Sequence, residues 1–401
     1  MDRFECLFCR KSYPHDPFSP FCPGCHEPLF IAPRSGRKKT VHPEEPHPLK
    51  KYFDFLPLDD FDPRLSLGEG DTPLLPLERL GRSLPGIPRL FAKNEAQNPT
   101  GSFKDRGTAL AIQKALSLGF RKVGTVSTGN MAASTAAYGA RAGVPATVLL
   151  KEGTSSTSLR AAGIFGPDLV AVKGDYGRLF YDSLALGREL GIYFMNSIEA
   201  FRVEGYKVTG FEVFDQLGGR VPGHVVVPLS SGGHLIGLMR AFEDLEREGL
   251  ADRYPTFVGV QASGCAPLAR AFEKRLLRYE RLDRAETIAH AISNPAPPGG
   301  NAALKMIADH KGVILSVSDA EMLEAQRDLA SSEGLFCQPE SAATLAGLRR
   351  LAARADLPPD EPVVLILTGS GLKTPHVLES QSIAVRESSL EGLAEALRER
   401  S

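Results

Sequence analysis

Short apolar runs alternate with helical stretches along most of this chain, and that alternation most limits what it can fold into. The runs are "KVGTV" (122–126), "ATVLL" (146–150), "DLVAV" (168–172), "IYF" (192–194), "HVVVP" (224–228), "TFVGVQ" (256–261) and "VVLILT" (363–368). Between them the pattern is helical: at about 131–142, where Gly143 can close the helix, from about 234, and twice within 318–355. Short β-rich runs separated by helices argue a parallel sheet covered on both faces. The strands outnumber what one such sheet comfortably holds, so the pattern predicts an α/β protein with two doubly wound, open-sheet domains. No internal repeat is visible. Ligands of such folds bind beyond the carboxyl ends of the strands.

Three strands run into unusual loops there. "HVVVP" leads into "SSGGHLIG" (230–237), where hydroxyls and two glycines meet a helix start. Glycines let backbone N–H groups approach an anion, and the helix terminus favours negative charge, so this reads as a phosphate cradle. A purely structural turn is the alternative, and neither a nucleotide P-loop nor a dinucleotide fingerprint is present. "KVGTV" leads into "STGN" (127–130), which can seat a carboxylate or serve as an ordinary helix cap. The third loop is "GSGLK" after "VVLILT".

A lysine completes the set. In "NPTGSFKDRG" (98–107), Lys104 stands where a loop of turn-formers enters a helix that Gly119 can end. Alone it could be a surface lysine. Beside a phosphate cradle and a carboxylate seat, it suits a phosphorylated aldehyde cofactor. Pyridoxal phosphate needs a lysine amine and a phosphate anchor, and an amino-acid substrate brings the carboxylate.

Four of the six cysteines, Cys6, Cys9, Cys22 and Cys25, form two C-x-x-C pairs at the amino-terminal end. That spacing predicts a structural zinc knuckle over residues 1–32, with two disulfides as the alternative. A complete set of four thiolate ligands leaves no open coordination position for catalysis. Cys265 and Cys337 read as small buried hydrophobes. Residues 33–64 begin with a proline- and charge-rich stretch and read as a solvated linker, including its basic cluster Arg37, Lys38 and Lys39. The net charge of −1 gives no global pull toward nucleic acid or membrane. No apolar run approaches the roughly 20 residues that span a bilayer, and "MDRFECLFCR" lacks a signal-peptide core, so a soluble, cytoplasmic protein is expected.

The chain resembles the fold-type II pyridoxal-phosphate enzymes, and within them the threonine synthases. The motifs carrying this are "LGEGDTPL" (67–74), "KNEAQNPTGSFKDRG" (93–107), "STGN" (127–130), "FRVEGYKV" (201–208), "VQASGCAP" (260–267), "QPESAATLAGL" (338–348) and "LTGSGLK" (367–373). The resemblance implies that Lys104 bonds the cofactor's aldehyde and that Asn130 meets its ring hydroxyl. Ser230, Ser231, Gly232, Gly233 and His234 would bind its phosphate, and Thr368 would face its ring nitrogen. Ser127, Thr128 and Gly129 would seat the substrate carboxylate, with Arg202 and Lys207 as candidates for the substrate phosphate. The implied reaction turns O-phosphohomoserine and water into threonine and phosphate, with Lys104 moving protons. The division that goes with it is a large cofactor-binding domain (65–120 and 206–385), a smaller α/β domain (121–205) and a tail (386–401), in a homodimer by analogy of fold.

Four residues depart from that family's usual pattern. Met131 stands for a threonine, Ser230 and His234 for Gly and Asn, and Ser370 for a histidine. Met131 cannot donate a hydrogen bond, and it favours a second reading: an ammonia-lyase or an O-phosphoserine-using synthase with the same cofactor loops. A third, remoter reading is a non-catalytic ligand sensor, or an RNA binder using Arg3, Arg10, Lys11, Phe4, Phe8 and Tyr13 of the cysteine module.

Overall fold

The computed structural model describes residues 3–33, 38–84, 86–87, 89–354, 361–375 and 377, with isolated positions beyond; the expected tail at 386–401 lies almost wholly outside them. Two open sheets form the body. The larger contains β4 (Leu74–Pro76), β5 (Leu90–Asn94), β10 (His224–Pro228), β11 (Thr256–Ala262), β12 (Val313–Val317) and β13 (Val363–Leu367), in the order β12–β11–β10–β13–β5–β4. All its pairings are parallel except β4 with β5. The smaller contains β6 (Val123–Val126), β7 (Ala146–Lys151), β8 (Asp168–Val172) and β9 (Tyr193–Phe194), parallel in the order β8–β7–β6–β9. Central strands β10 and β13 are buried at every position, as continuous Val/Leu/Ile runs in a doubly covered sheet should be.

Helices Lys104–Ser117 and Ala200–Gln216 bridge the two sheets and are buried on nearly every side. They touch through glycine: a Cβ on Gly205 would lie 2.5 Å from the Arg106 carbonyl oxygen. The expected domain boundary at 205/206 falls inside this second helix, which runs unbroken to Gln216. Because the helix buries both faces, no break in its pattern marks where one sheet's territory ends.

The cysteine module is a three-stranded antiparallel sheet of β1 (Arg3–Cys6), β2 (Ser12–Pro14) and β3 (Leu29–Ile31), ordered β2–β1–β3. It docks on the body through Phe4, which meets Phe201 edge-on at 6.1 Å. Arg240 also donates to the Ile31 carbonyl.

Residues 33–64 correct the linker expectation. Leu49, Tyr52, Phe55, Leu56, Leu58 and Phe61 are all buried, so residues 38–64 strap the body and contribute to its core. Lys39 is buried as well and pairs with Asp244 at 3.4 Å. Its charge serves a partner 205 residues away, which local composition cannot reveal. Arg37 of the same basic cluster lies outside the described residues.

Candidate active site

Strands β5, β10 and β13 of the large sheet and β6 of the small one send their carboxyl-end loops toward one pocket. Lys104, Asn130, Ser230, Ser231, Gly232, His234 and Thr368 line it together, with Phe103, Ser197, Tyr206 and Glu340. Four helices begin there, at Lys104, Asn130, Gly233 and Pro339, and none has a side-chain cap. Backbone carbonyls take some of their first-turn N–H groups, as Arg106 N–H donates to the Phe103 carbonyl at 3.2 Å and Ala132 N–H to the Gly129 carbonyl at 2.9 Å. The earliest ones, such as those of Gly233 and His234, are left for another partner. Three long helices that start elsewhere are capped: Asp175, Glu199 and Ser318 each accept from the first turn of the helix that follows.

Lys104 has no carboxylate partner among the described residues; its amine sits 4.3 Å from the centre of the Phe103 ring. Burial and the Arg202 guanidinium lower its ammonium to about 7. Desolvation and a like charge act in the same direction here. Arg202 is fully buried against the same helix, donating to Thr108 Oγ1 at 2.9 Å and to the Lys104 carbonyl at 3.4 Å, while its Nε has no partner.

The "SSGGH" loop shows why its residue types are needed. Gly232 has φ +96°, and a Cβ there would lie 2.7 Å from the Gly299 carbonyl oxygen, so a side chain is excluded on two counts. His234 is stacked on Phe103 at 3.8 Å and is 7% exposed, with neither ring nitrogen hydrogen-bonded. Burial and the charges of Lys104 and Arg106 hold its imidazole well below the ordinary range, hence neutral.

Just past the carboxyl end of β13, Thr368 Oγ1 and Ser341 Oγ share a hydrogen bond of 2.9 Å. The Asn130 amide donates to Gln338 Oε1 at 2.7 Å. Ser127 is buried at the end of β6, with Thr128 half-buried and Gly129 exposed; these three and Arg202 are not among the residues that line the pocket itself.

Lys207 is not brought to this pocket. Its ammonium pairs with Glu204 at 2.9 Å and with Asp244, and donates to the Phe55 carbonyl at 2.9 Å. Met131 is buried within its helix and does not line the pocket, and neither does Ser370, which caps the turn Gly371–Lys373.

Over residues 65–369 the sequence matches the family described as pyridoxal-phosphate dependent enzyme. The chain belongs to that family. Among curated proteins it is 38% identical to a threonine synthase of Methanocaldococcus jannaschii, over 92% of this chain and 93% of the relative. A threonine synthase of Methanosarcina acetivorans is 36% identical, covering 94% of each. Among solved structures, a threonine deaminase from Solanum lycopersicum superposes with a TM-score of 0.64 at 18% identity, over 82% of both chains. Maize serine racemase gives 0.63 at 16% identity, over 82% of this chain and 92% of the racemase. At those identities the structural matches speak for the fold alone.

The enzyme's own residues fit the cofactor. A phosphorylated ring aldehyde needs an uncharged amine, an anion cradle and donors around a planar ring. Lys104 near neutrality, the uncapped helix start behind Gly232 and the orphaned His234 nitrogens answer those needs. Glu340, Ser197 and Tyr206 also line the pocket without having been singled out in the sequence. Glu340 and Tyr206 lie inside "QPESAATLAGL" and "FRVEGYKV", so the motifs held them and only their side-chain directions were missing.

The four cysteine sulfurs all lie within 4.8 Å of one another, and those of Cys9 and Cys22 are 3.7 Å apart. All six cysteines are free thiols. Four thiolates at Zn–S distances of about 2.3 Å in a tetrahedron would be roughly 3.8 Å apart, so the set fits zinc. Phe4 of this module is buried and stacked on His15, so it is not free to stack on a nucleobase. Among the described residues no helix is long and apolar enough to cross a membrane.

Proposed function

We propose that this enzyme is a threonine synthase, a lyase of amino-acid biosynthesis that converts O-phospho-L-homoserine and water to L-threonine and phosphate. The observation that carries the reading is an unpaired, near-neutral lysine at the meeting point of four uncapped helix starts, in a chain whose full-length relatives bear that name. Once bound, the cofactor supplies an aldehyde for amine exchange and a ring that withdraws electrons from the adjacent bonds.

The rest falls to the protein's side chains. The Lys104 amine, freed when the substrate's amino group replaces it, accepts and returns protons along the substrate chain; a value near 7 lets it do both at neutral pH. Arg202 keeps that amine from holding its proton too tightly. Its Nε, without a partner among the described residues, also suits the substrate's phosphate. Ser127, Thr128 and Gly129, before the uncapped helix at Asn130, receive the substrate carboxylate. Ser230 to His234 hold the cofactor's phosphate, and Asn130 and Thr368 address its ring. Lys207 has no part in this scheme, because its three partners already satisfy it.

The eliminase reading leaned on Met131, which is buried in its helix and, like Arg202 and Ser127 to Gly129, is not among the residues that line the pocket, so the support for a synthase rests on the relatives. We also propose zinc on Cys6, Cys9, Cys22 and Cys25, a cytoplasmic homodimer, and a small amino-acid phosphate as the only partner the site requires. The test is phosphate release and amino-acid product from O-phosphohomoserine, with L-threonine and O-phosphoserine in parallel. Threonine formed with one phosphate per turnover supports the reading. Keto acid from threonine, with phosphohomoserine untouched, rejects it.

A further inference from the structure

The Arg202 guanidinium suits the substrate's phosphate, yet it stands behind the pocket wall. Tyr206, one turn further along the same helix, lines the pocket and touches it: Arg202 Nη2 donates to Tyr206 Oη at 3.2 Å. A guanidinium has only donors, so the phenol oxygen is the acceptor in that bond and must direct its own O–H elsewhere. Among the described residues nothing accepts it. Tyr206 is 1% exposed, and burial raises its phenol above the ordinary value, so the proton stays on the oxygen at neutral pH. A buried donor left this way is costly unless a ligand completes it.

Contacts place this hydroxyl on the lysine's side of the pocket. The same Arg202 nitrogen donates to the Lys104 carbonyl at 3.4 Å. The Tyr206 ring lies 5.1 Å from the Phe103 ring, and the Lys104 amine is 4.3 Å from the centre of that same ring. Two glycines make room for the phenol. A Cβ on Gly107 would lie 2.6 Å from the Tyr206 ring, and one on Gly237 would lie 2.7 Å from its Cβ. The side chain therefore has a fixed slot and cannot swing to another acceptor. The other anions have seats of their own: the uncapped helix behind Gly232, with His234, for the cofactor's phosphate, and residues 127–129 for the substrate's carboxylate. What remains to be held near Lys104 is the end of the substrate's side chain, which carries the leaving phosphate.

We propose that Tyr206 donates its O–H to the substrate's phosphate and so selects for it, with Arg202 acting from behind through the phenol. The guanidinium holds the phenol oxygen in line, and accepting that bond makes the hydroxyl a stronger donor. This rests on the threonine synthase reading and deepens it: the phosphate is recognised at the pocket surface by a neutral hydroxyl backed by a charge. An amino acid without the phosphate leaves the hydroxyl unanswered, which favours the phosphorylated substrate over its competitors.

The test is Tyr206→Phe, compared with wild type as holoenzyme. KM for O-phosphohomoserine should rise about tenfold or more, with kcat changed by less than about threefold. The Kd of L-threonine, read from the shift in cofactor absorbance, and the Kd of pyridoxal phosphate should each stay within about twofold of wild type. An unchanged KM, or a fall in kcat alone, overturns the proposal. So does an equal weakening of L-threonine, which marks a distorted site, or a weakened cofactor with substrate KM unchanged, which gives the hydroxyl to the cofactor's phosphate. Should the variant fail to load cofactor, a crystal structure of wild-type holoenzyme with L-threonine and inorganic phosphate decides. A phosphate oxygen within hydrogen-bond reach of Tyr206 Oη supports the proposal, and a phosphate held elsewhere overturns it. Wild-type enzyme that does not turn over O-phosphohomoserine would sink the synthase reading itself, an outcome distinct from any change confined to the variant.

Discussion

Lys104 and Lys207 are both lysines on helices that pack against each other, and they illustrate two ways a protein can treat a buried amine. Around Lys207 every charge is answered: Glu204 serves Lys207 and Arg240, and Asp244 serves Lys39, Lys207 and Arg247. Those partners raise the Lys207 ammonium above its ordinary value in spite of burial. Lys104 meets an aromatic ring and a guanidinium, and its value falls. The same contrast holds between regions. The ionic cluster around Lys207 is saturated, whereas the pocket keeps an amine, an imidazole and a phenol proton unpaired beside four uncapped helix starts. Saturation makes structure; the unsatisfied set is what a ligand completes.

The largest effect that would test this contrast is loss of the unpaired amine. Lys104→Ala should lower turnover by roughly 1,000-fold or more and remove the lysine-linked cofactor absorbance, with the fold intact by circular dichroism. Breaking the saturated cluster should do the reverse. Asp244→Ala takes the carboxylate from Lys39 and one of two from Lys207, and should cost about 3 kcal/mol in urea unfolding while the folded fraction stays active.

The pH dependence sharpens the comparison. The Lys104 value falls from 10.5 to about 7 on folding, so below pH 7 both states carry the proton and the cost of burying it is fully present. Between about 7 and 10.5 the unfolded state binds more protons, and stability rises with pH. Cofactor-free Lys104→Met should therefore gain on the order of 2 kcal/mol near pH 6, with the gain fading by pH 10; the pocket's access to water keeps it below the full shift. Unfolding midpoints of the two proteins across that range would show it, and a gain independent of pH would contradict it.

A smaller effect is expected at the cradle. Gly232→Ala forces a side chain into a left-handed position against Gly299, and should weaken cofactor binding about tenfold with little loss of fold, as read by cofactor titration. The least effect on turnover is expected from the cysteine module, where chelation should loosen the β1–β3 sheet and change the rate by less than about twofold.

The sequence displayed the strands well because a doubly covered strand is a short, unbroken apolar run. "HVVVP" coincides with the fully buried β10 residue for residue; "DLVAV" coincides with β8 too, although β8 is a largely exposed edge strand. β12 was not singled out: "VILSV" lies between two helices with a serine inside it. Lys104 and the "SSGGH" loop stood out because turn-formers and glycines mark strand ends, whereas Thr368 came only from the resemblance carried by "LTGSGLK"; the structure brings all three to one pocket. The strap at 33–64 was not, since its prolines and charges resemble a linker while its aromatics find the core only after long-range packing. Lys104 and Lys207 share one lesson: the sequence shows a charge, and only the fold shows whether another charge faces it.

Everything above turns on the cofactor being bound at the unpaired amine, among the uncapped helix starts. Borohydride reduction of the holoenzyme, followed by peptide mass mapping, tests it most directly. The reduced cofactor's mass is expected on the peptide that contains Lys104 and on no other. Label on Lys207, Lys93 or any other lysine in place of Lys104 would contradict it.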